Sequence, residues 1–291
     1  MKPETDFQQT PTSHRRRSVD EHVGNLRPLE ITGGQDFFRG LLRWELWGRL
    51  GFLEVKRRYR RTIIGPFWSA LSLAIFVGAM GTVGSSLWKL EIATYLPYLA
   101  TGMLVWLMIS TMVTEACNLF IGNGHFFRQM RFNYSTLAYA LVWRNLIVFM
   151  HNLIIYVVVI LIFGRHMLSP ATLLVVPGLL LVMANGVWIA VLLGMLCLRF
   201  RDVQQLVMSI LQISMLVTPI FWPETQLQGG SRIVFVDFNP LFHFVNLVRA
   251  PLTGQAPQLE SYLAVLAISV IGWTATMMIF NRFRKRIVFW N

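Results

Sequence analysis

The chain has 291 residues, of which 55% are hydrophobic and only 14% charged, with a mean hydropathy of +0.53. Soluble globular domains carry about a quarter charged residues, so this composition excludes an ordinary soluble enzyme or binding module and points to an integral membrane protein. A net charge of +12 in a soluble chain would suggest nucleic acid, but here the cations lie between long apolar runs, which assigns them to the membrane surface and to orientation.

In chain order, residues 1–35 are rich in Pro, Ser, Thr, Gly and Arg and show little periodicity. They read as a basic cytoplasmic N-terminus, disordered at least in part, with no apolar h-region and so no signal peptide. Residues 36–61 form the next unit. In "DFFRGLLRWELWGRLGFLEVK" (36–56), Phe38, Leu42, Leu46, Leu50 and Leu53 recur every three or four residues. Leu41, Trp44 and Trp47 widen that stripe, and Arg39, Arg43 and Arg49 punctuate it. A Trp-rich apolar face with interspersed Arg predicts a helix lying in the membrane interface; the alternative is an amphipathic helix packed on a soluble partner. A basic corner follows in "KRRYRRTIIGPFW" (56–68), carrying Arg57, Arg58, Arg60 and Arg61. Gly65-Pro66 then falls in the first turn of a span, where proline is tolerated, and marks a corner between an in-plane and a perpendicular helix.

Residues 62–291 read as a six-span transmembrane domain. A span needs about 20 mostly apolar residues, and the segments 63–87, 95–120, 139–163, 171–198, 203–222 and 259–280 qualify. Lys and Arg fix the orientation. Thirteen lie in residues 1–61, and counting the alternate connections and the C-terminus 21 fall on that side. Only Lys89, Arg165, Arg232 and Arg249 fall on the other. The positive-inside rule therefore puts both termini in the cytoplasm. The external stretch 223–258 contains two apolar pieces too short to span. They read as external loop or as short re-entrant helices packed against protein, with a short helix predicted at 240–249. No internal repeat is evident, which disfavours an inverted-repeat secondary transporter.

Chemistry-bearing motifs are few. There is no G-x-x-x-x-G-K-[ST] phosphate loop, no H-E-x-x-H, no paired Cys/His spacing and no Gly-x-Ser-x-Gly. Cys117 and Cys197 both sit in apolar runs and suggest neither a disulfide framework nor a metal site. Few ionisable residues fall within the spans, among them Glu115, Arg144 and His151. Glu115 is either a substrate or coupling residue or a hydrogen-bonded partner of a neighbouring helix; His151 reads as a structural hydrogen-bonder. Trp68, Trp88, Tyr95, Tyr98, Trp222 and Trp290 lie near span ends and fit interface belts. Phe76, Trp106 and Trp188 lie deeper, as core packing or as a sugar-stacking lining of a substrate path. Arg57, Arg58, Arg60 and Arg61 either fix orientation or meet the diphosphate of an entering lipid carrier, for which Arg offers bidentate contacts.

These features together resemble a known family. "RYRRTIIGPFW" (58–68), "NPLFHFVNLVRAPLTG" (239–254) and the closing "RFRKRIVFWN" look like the membrane subunit of a type-2 ABC exporter. They point to the group that moves polysaccharides, which includes O-antigen, capsule and teichoic acid permeases. The resemblance covers about residues 36–291. It implies an all-α protein of the bacterial inner membrane, with a multi-pass homodimer enclosing the conduit. Two copies of a separate ATPase would bind ATP and Mg, with no cofactor in this chain. The substrate implied is a glycan on a polyprenyl-diphosphate or phospholipid anchor, O-antigen-like first. In the family the interfacial helix and the loop between the second and third spans contact the ATPase, which in that loop makes His125, Phe126, Phe127, Arg128 and Arg131 coupling candidates. The external helices form a gate, which makes Asn239, Pro240, Phe242, His243 and Arg249 gate candidates. A drug or small-lipid exporter of the same architecture, a membrane-embedded transferase and a channel are the alternatives.

Overall fold

The computed structural model describes residues 32–65, 67–124, 133–163, 168–227 and 229–290. These are predominantly helical, with no strand among them. In chain order the principal helices are α1 (Gly33–Leu42), α2 (Trp44–Tyr59), α3 (Phe67–Trp88), α4 (Ile92–Cys117) and α5 (Tyr134–Phe163). They are followed by α6 (Val175–Arg199), α7 (Val203–Val217), α8 (Pro240–Leu252) and α9 (Leu259–Phe283). Of these α3, α4, α5, α6 and α9 are long and apolar enough to cross a membrane. A sixth span results only if Gly230–Asp237 and α8, bent at 72° to each other, are taken as one.

The amphipathic segment forms two helices where the sequence predicts one. The chain breaks at Arg43, with ψ at 47° and its N–H donating to the Gly40 carbonyl. At the start of α1, Thr32 and Gln35 form a reciprocal capping box. Much of the predicted apolar stripe faces outward, with Phe38, Leu42, Trp44 and Leu53 exposed, while Trp47 packs on Tyr139 and Trp143 of α5. Apart from Phe37 the inward-facing residues are smaller: Gly33, Asp36, Gly40, Gly51 and Val55. A Cβ at Gly51 would lie 2.8 Å from the Ala140 carbonyl oxygen of α5, so glycine is what lets the two backbones meet. Phe37 enters the core edge-on to Trp273 and Phe280 of α9. Asp36 is buried against the start of α5, accepting the Ser135 N–H at 3.0 Å. Burial pushes its carboxyl up from the usual carboxylate value, against the opposing pull of that hydrogen bond and of Arg284.

The corner lies before α3 and not, as the sequence predicts, in the first turn of a span starting near Ile63. Gly65 has φ of +63° and α3 begins at Phe67, so the turn uses the left-handed region open to glycine. Helix α4 is the centre of the molecule, packed against α3, α5, α6 and α8. Helix α5 starts at Tyr134, five residues before the predicted span, so Arg144 lies well inside a helix rather than at its mouth.

The fifth predicted span, 203–222, is shorter than expected. Helix α7 ends at Val217, and its 15 residues reach only about 22 Å at ~1.5 Å per residue. Pro219 cannot supply the N–H that would continue it. The irregular stretch that follows is buried at Thr218 and Ile220, and its carbonyls are taken up by side chains. The Tyr95 hydroxyl donates to Phe221, the Tyr98 hydroxyl to Pro219 and Trp222, and Arg249 to Pro219. Non-helical backbone is tolerable at such depth only when protein satisfies it. Tyr95 and Tyr98, read from the sequence as interface aromatics, therefore point into the bundle: Tyr95 is 1% exposed.

Candidate functional site

Two polar assemblies sit at opposite ends of α4. The first joins α2, α4 and α5. Glu54 and Arg58 lie one turn apart on α2, on the same face. Arg144 of α5 pairs with Glu54 and, at 2.6 Å, with the Glu115 carboxylate of α4. Glu115 in turn pairs with Arg58 and accepts from the Asn145 amide at 2.8 Å. The result is a chain of alternating charge, Glu54–Arg144–Glu115–Arg58, that leaves and rejoins the same helix. It lines a cleft of about 240 Å³ with Thr114, Asn118 and Asn123. Burial works against the charge on Arg58, but the Glu115 carboxylate more than offsets it and raises its pKa above the ordinary value.

The second assembly holds the segment before α9. Asn239 caps α8, its side chain accepting from the Leu241 and Phe242 N–H groups, with Pro240 at the first helical position. The Asn239 amide also donates to Thr218 beyond the end of α7. His243 bonds Ser261 of α9 through Nδ1 at 3.1 Å and the Asp237 carbonyl through Nε2 at 2.9 Å, and Asn246 donates to the same serine. Arg249 is 3% exposed, lies 4.3 Å above the Tyr98 ring and donates to the Pro219 carbonyl. Phe242 is buried and lies near the Arg249 guanidinium. The gate candidates Asn239, Pro240, Phe242, His243 and Arg249 are thus brought together on one helix, which runs three residues beyond the predicted 249.

The substrate-path candidates do not form one lining. Arg58 turns inward to Glu115, whereas Arg57 and Arg60 border a shallow basic groove of about 400 Å³ with Leu53 and Lys56, and Arg61 is exposed. Phe76 is 39% exposed and meets the Phe221 ring at 5.9 Å. Trp106 is buried in the core. Trp188 donates to Asn185 and packs over Gly272, where a Cβ would lie 2.3 Å from its ring. The coupling candidates His125, Phe126, Phe127, Arg128 and Arg131 lie outside the described residues. His151 bonds the Ile147 carbonyl one turn back and meets the Phe67 ring. Cys117 and Cys197 are buried free thiols.

Sequence reasoning missed Glu54, Asn145 and the carbonyl-clasping role of Tyr95 and Tyr98. Glu54 and Arg58 at i, i+4 were a visible signal, as was Pro219 inside an apolar run. Neither identifies a partner on another helix.

Residues 47–253 match the ABC-2 type transporter family. The chain is also 23% identical over 234 residues to an O-antigen export system permease protein, RfbA, of Myxococcus xanthus. It is 22% and 21% identical, over 238 and 239 residues, to two proteins of that name from Klebsiella pneumoniae. Each match covers 80% of this chain and 90% of the relative. The family match spans well over half of the sequence and coincides with the bundle from α2 to α8: this chain belongs to the ABC-2 type transporter family and is a multi-pass membrane subunit of an ABC transporter.

Proposed function

We propose that the chain is the permease of an ATP-driven exporter that carries a lipid-linked polysaccharide, O-antigen-like first, across the bacterial cytoplasmic membrane. The observation that carries this reading is the near full-length similarity to three proteins named as O-antigen export permeases. In this reading two copies associate, two ATPase subunits bind beneath them, and ATP and Mg are held by those partners. The chain supplies the path and no covalent chemistry. Both termini face the cytoplasm, with α1 and α2 at that membrane surface, their outward Phe38, Leu42, Trp44 and Leu53 meeting acyl chains and Arg57 and Arg60 meeting phosphate. The re-entrant pair Gly230–Asp237 and α8 is the external gate, and residues 125–132 meet the ATPase.

Helix α7 supports a conduit between copies. None of its residues is buried, and Gln205 and Gln212 are exposed on it beside Leu206 and Ile213. An amide facing hydrocarbon without a partner costs several kcal/mol, roughly 4–8 by alkane transfer, so this face suits water or another helix better than lipid.

The test is transport. The chain and the ABC ATPase of its own genome are reconstituted in proteoliposomes with a polyprenyl-diphosphate-linked O-glycan. ATP-dependent movement of the glycan supports the proposal. ATP-dependent movement of a dye or short lipid with none of the glycan favours the small-lipid exporter, and failure to bind any ATPase overturns the exporter reading.

A further inference from the structure

We infer that Glu54, Arg58, Glu115 and Arg144 are positioning residues that lock α2, α4 and α5 into one rigid transmission unit, so that the ATPase moves the re-entrant segment through α4. The inference rests on the proposed partnership with an ATPase.

The geometry is specific. Both ends of the charge chain are on α2, one helical turn apart, and each is caught by a different helix: Glu54 by Arg144 of α5, Arg58 by Glu115 of α4. Glu115 and Arg144 then join those two helices to each other. Rotating α2 about its axis, or sliding it along α5, separates at least one pair. A half-buried ion pair is poor evidence for stability, because an apolar set of similar shape often does as well, but removing one partner leaves a charge uncompensated. Such a chain therefore favours a single register over intermediate ones. The side chains of Glu115 and Arg144 are each only 14% exposed, while that of Arg58 is 45% exposed, so the inner link is the one least replaceable by water.

Position supplies the rest of the argument. Helices α4 and α5 are the two that flank residues 118–133, the connection proposed to meet the ATPase, and α2 is the other element proposed at that surface. Both converge on Glu115. From there α4 runs about 26 Å, 17 residues at ~1.5 Å each, to Tyr98, whose hydroxyl holds the Pro219 and Trp222 carbonyls. Arg249 of α8 grips the same Pro219 carbonyl. A displacement of the α2–α4–α5 unit is thereby delivered to the start of the re-entrant segment without passing through the weakly packed α7.

The experiment uses the full chain assembled with its ATPase in nanodiscs. A spin label at Ile92→Cys, an exposed position at the far end of α4, reports the distance between the two copies with and without ATP. Cys117 and Cys197 are both buried and stay unlabelled. ATP is expected to shift this distance in the otherwise wild-type chain. Glu115→Gln is expected to cut the ATP-shifted population about fivefold or more, the lower end of typical coupling between sites, while ATPase binding persists. Arg58→Gln, at the most exposed member, gives a smaller loss and serves where Glu115→Gln fails to assemble. Reversing all four charges together restores every attraction and is expected to restore the shift; reversing only Glu115 and Arg144 sets like charges against Arg58 and Glu54 and is not. Thermal unfolding is followed in parallel. Loss of stability with an undiminished ATP response overturns the inference, as does failure of the four-site reversal in a variant that still assembles. A wild-type chain that binds no ATPase overturns the proposed function and this inference with it.

Discussion

Arg249 is a cation placed where the described residues offer it a carbonyl and two rings rather than a carboxylate. It stands over Tyr98 at 4.3 Å and near Phe242 at 5.7 Å, and donates to Pro219 at 2.7 Å. The charge is there because a break in α7 needs a donor. Helix α7 ends two residues before Pro219, and the carbonyls freed in that stretch are buried with it. Arg249→Met keeps the stem that packs in this region and removes the donor. A hydrogen bond from a charged group contributes about 1.5–3 kcal/mol, and a loss of that size is expected in the unfolding free energy in detergent. Arg249→Lys, which keeps charge but not the planar fork, is expected to recover only part. An Arg249→Met protein as stable as the parent would show that water replaces the guanidinium. The sequence exposed Arg249 as an isolated external cation but hid this role, because its partner is a main-chain oxygen and main-chain oxygens have no letter.

Among the helices, the apolar stripe that is easiest to read is not the packing face. Phe38, Leu42 and Leu53 point out, while Gly40 and Gly51 point in. In water the reverse would hold. In a bilayer the lipid is as apolar as leucine, so association is driven by close packing and small residues mark the seam. The helices and most of their ends were therefore legible from hydropathy and charge, whereas the seams were not. The same logic sets α8 against α6: a Cβ at Gly178 would lie 2.4 Å from the Leu247 carbonyl oxygen. That contact is backbone and cannot rotate away. Gly178→Val is expected to push α8 off α6 and loosen the segment before α9. Single cysteines at Leu241 and Ala250, half-buried at the two ends of α8, are expected to react from outside in the parent, and cysteines at the buried positions 242–249 to be protected. In Gly178→Val the buried positions Val245 and Val248 are expected to become reactive too. Uniform strong labelling in the parent would instead return the segment to a plain external loop.

The molecule as a whole is packed unevenly around α4. That helix is buried over most of its length, α3 and α9 far less, and α7 has no buried residue at all. A 15-residue helix held chiefly at its Pro219 end is a poor span by itself. Its exposed surface is also mixed: Leu206, Ile210 and Ile213 recur at helical spacing, with Gln205 and Gln212 alongside. Apolar residues alone would suit lipid, and amides alone would suit water. Side by side on one helix they suit a seam, with leucine and isoleucine packing on a neighbour and the amides bonding across it or turning to a wet conduit. The second copy of the proposed function would present a matching face, because a two-fold axis sets the same surface against itself. Ile213→Cys and Leu206→Cys test this without removing native cysteines, since Cys117 and Cys197 are both buried. In membranes, mild oxidation is expected to yield a disulfide-linked dimer from Ile213→Cys or Leu206→Cys, and none from cysteine at Leu173, an exposed site on the turn before α6. Gln212→Leu is expected to leave the cross-link intact and to lower export, because it would dry the proposed conduit without disturbing the proposed seam. Equal cross-linking from all three cysteines would reflect random collision, and would remove α7 from the interface.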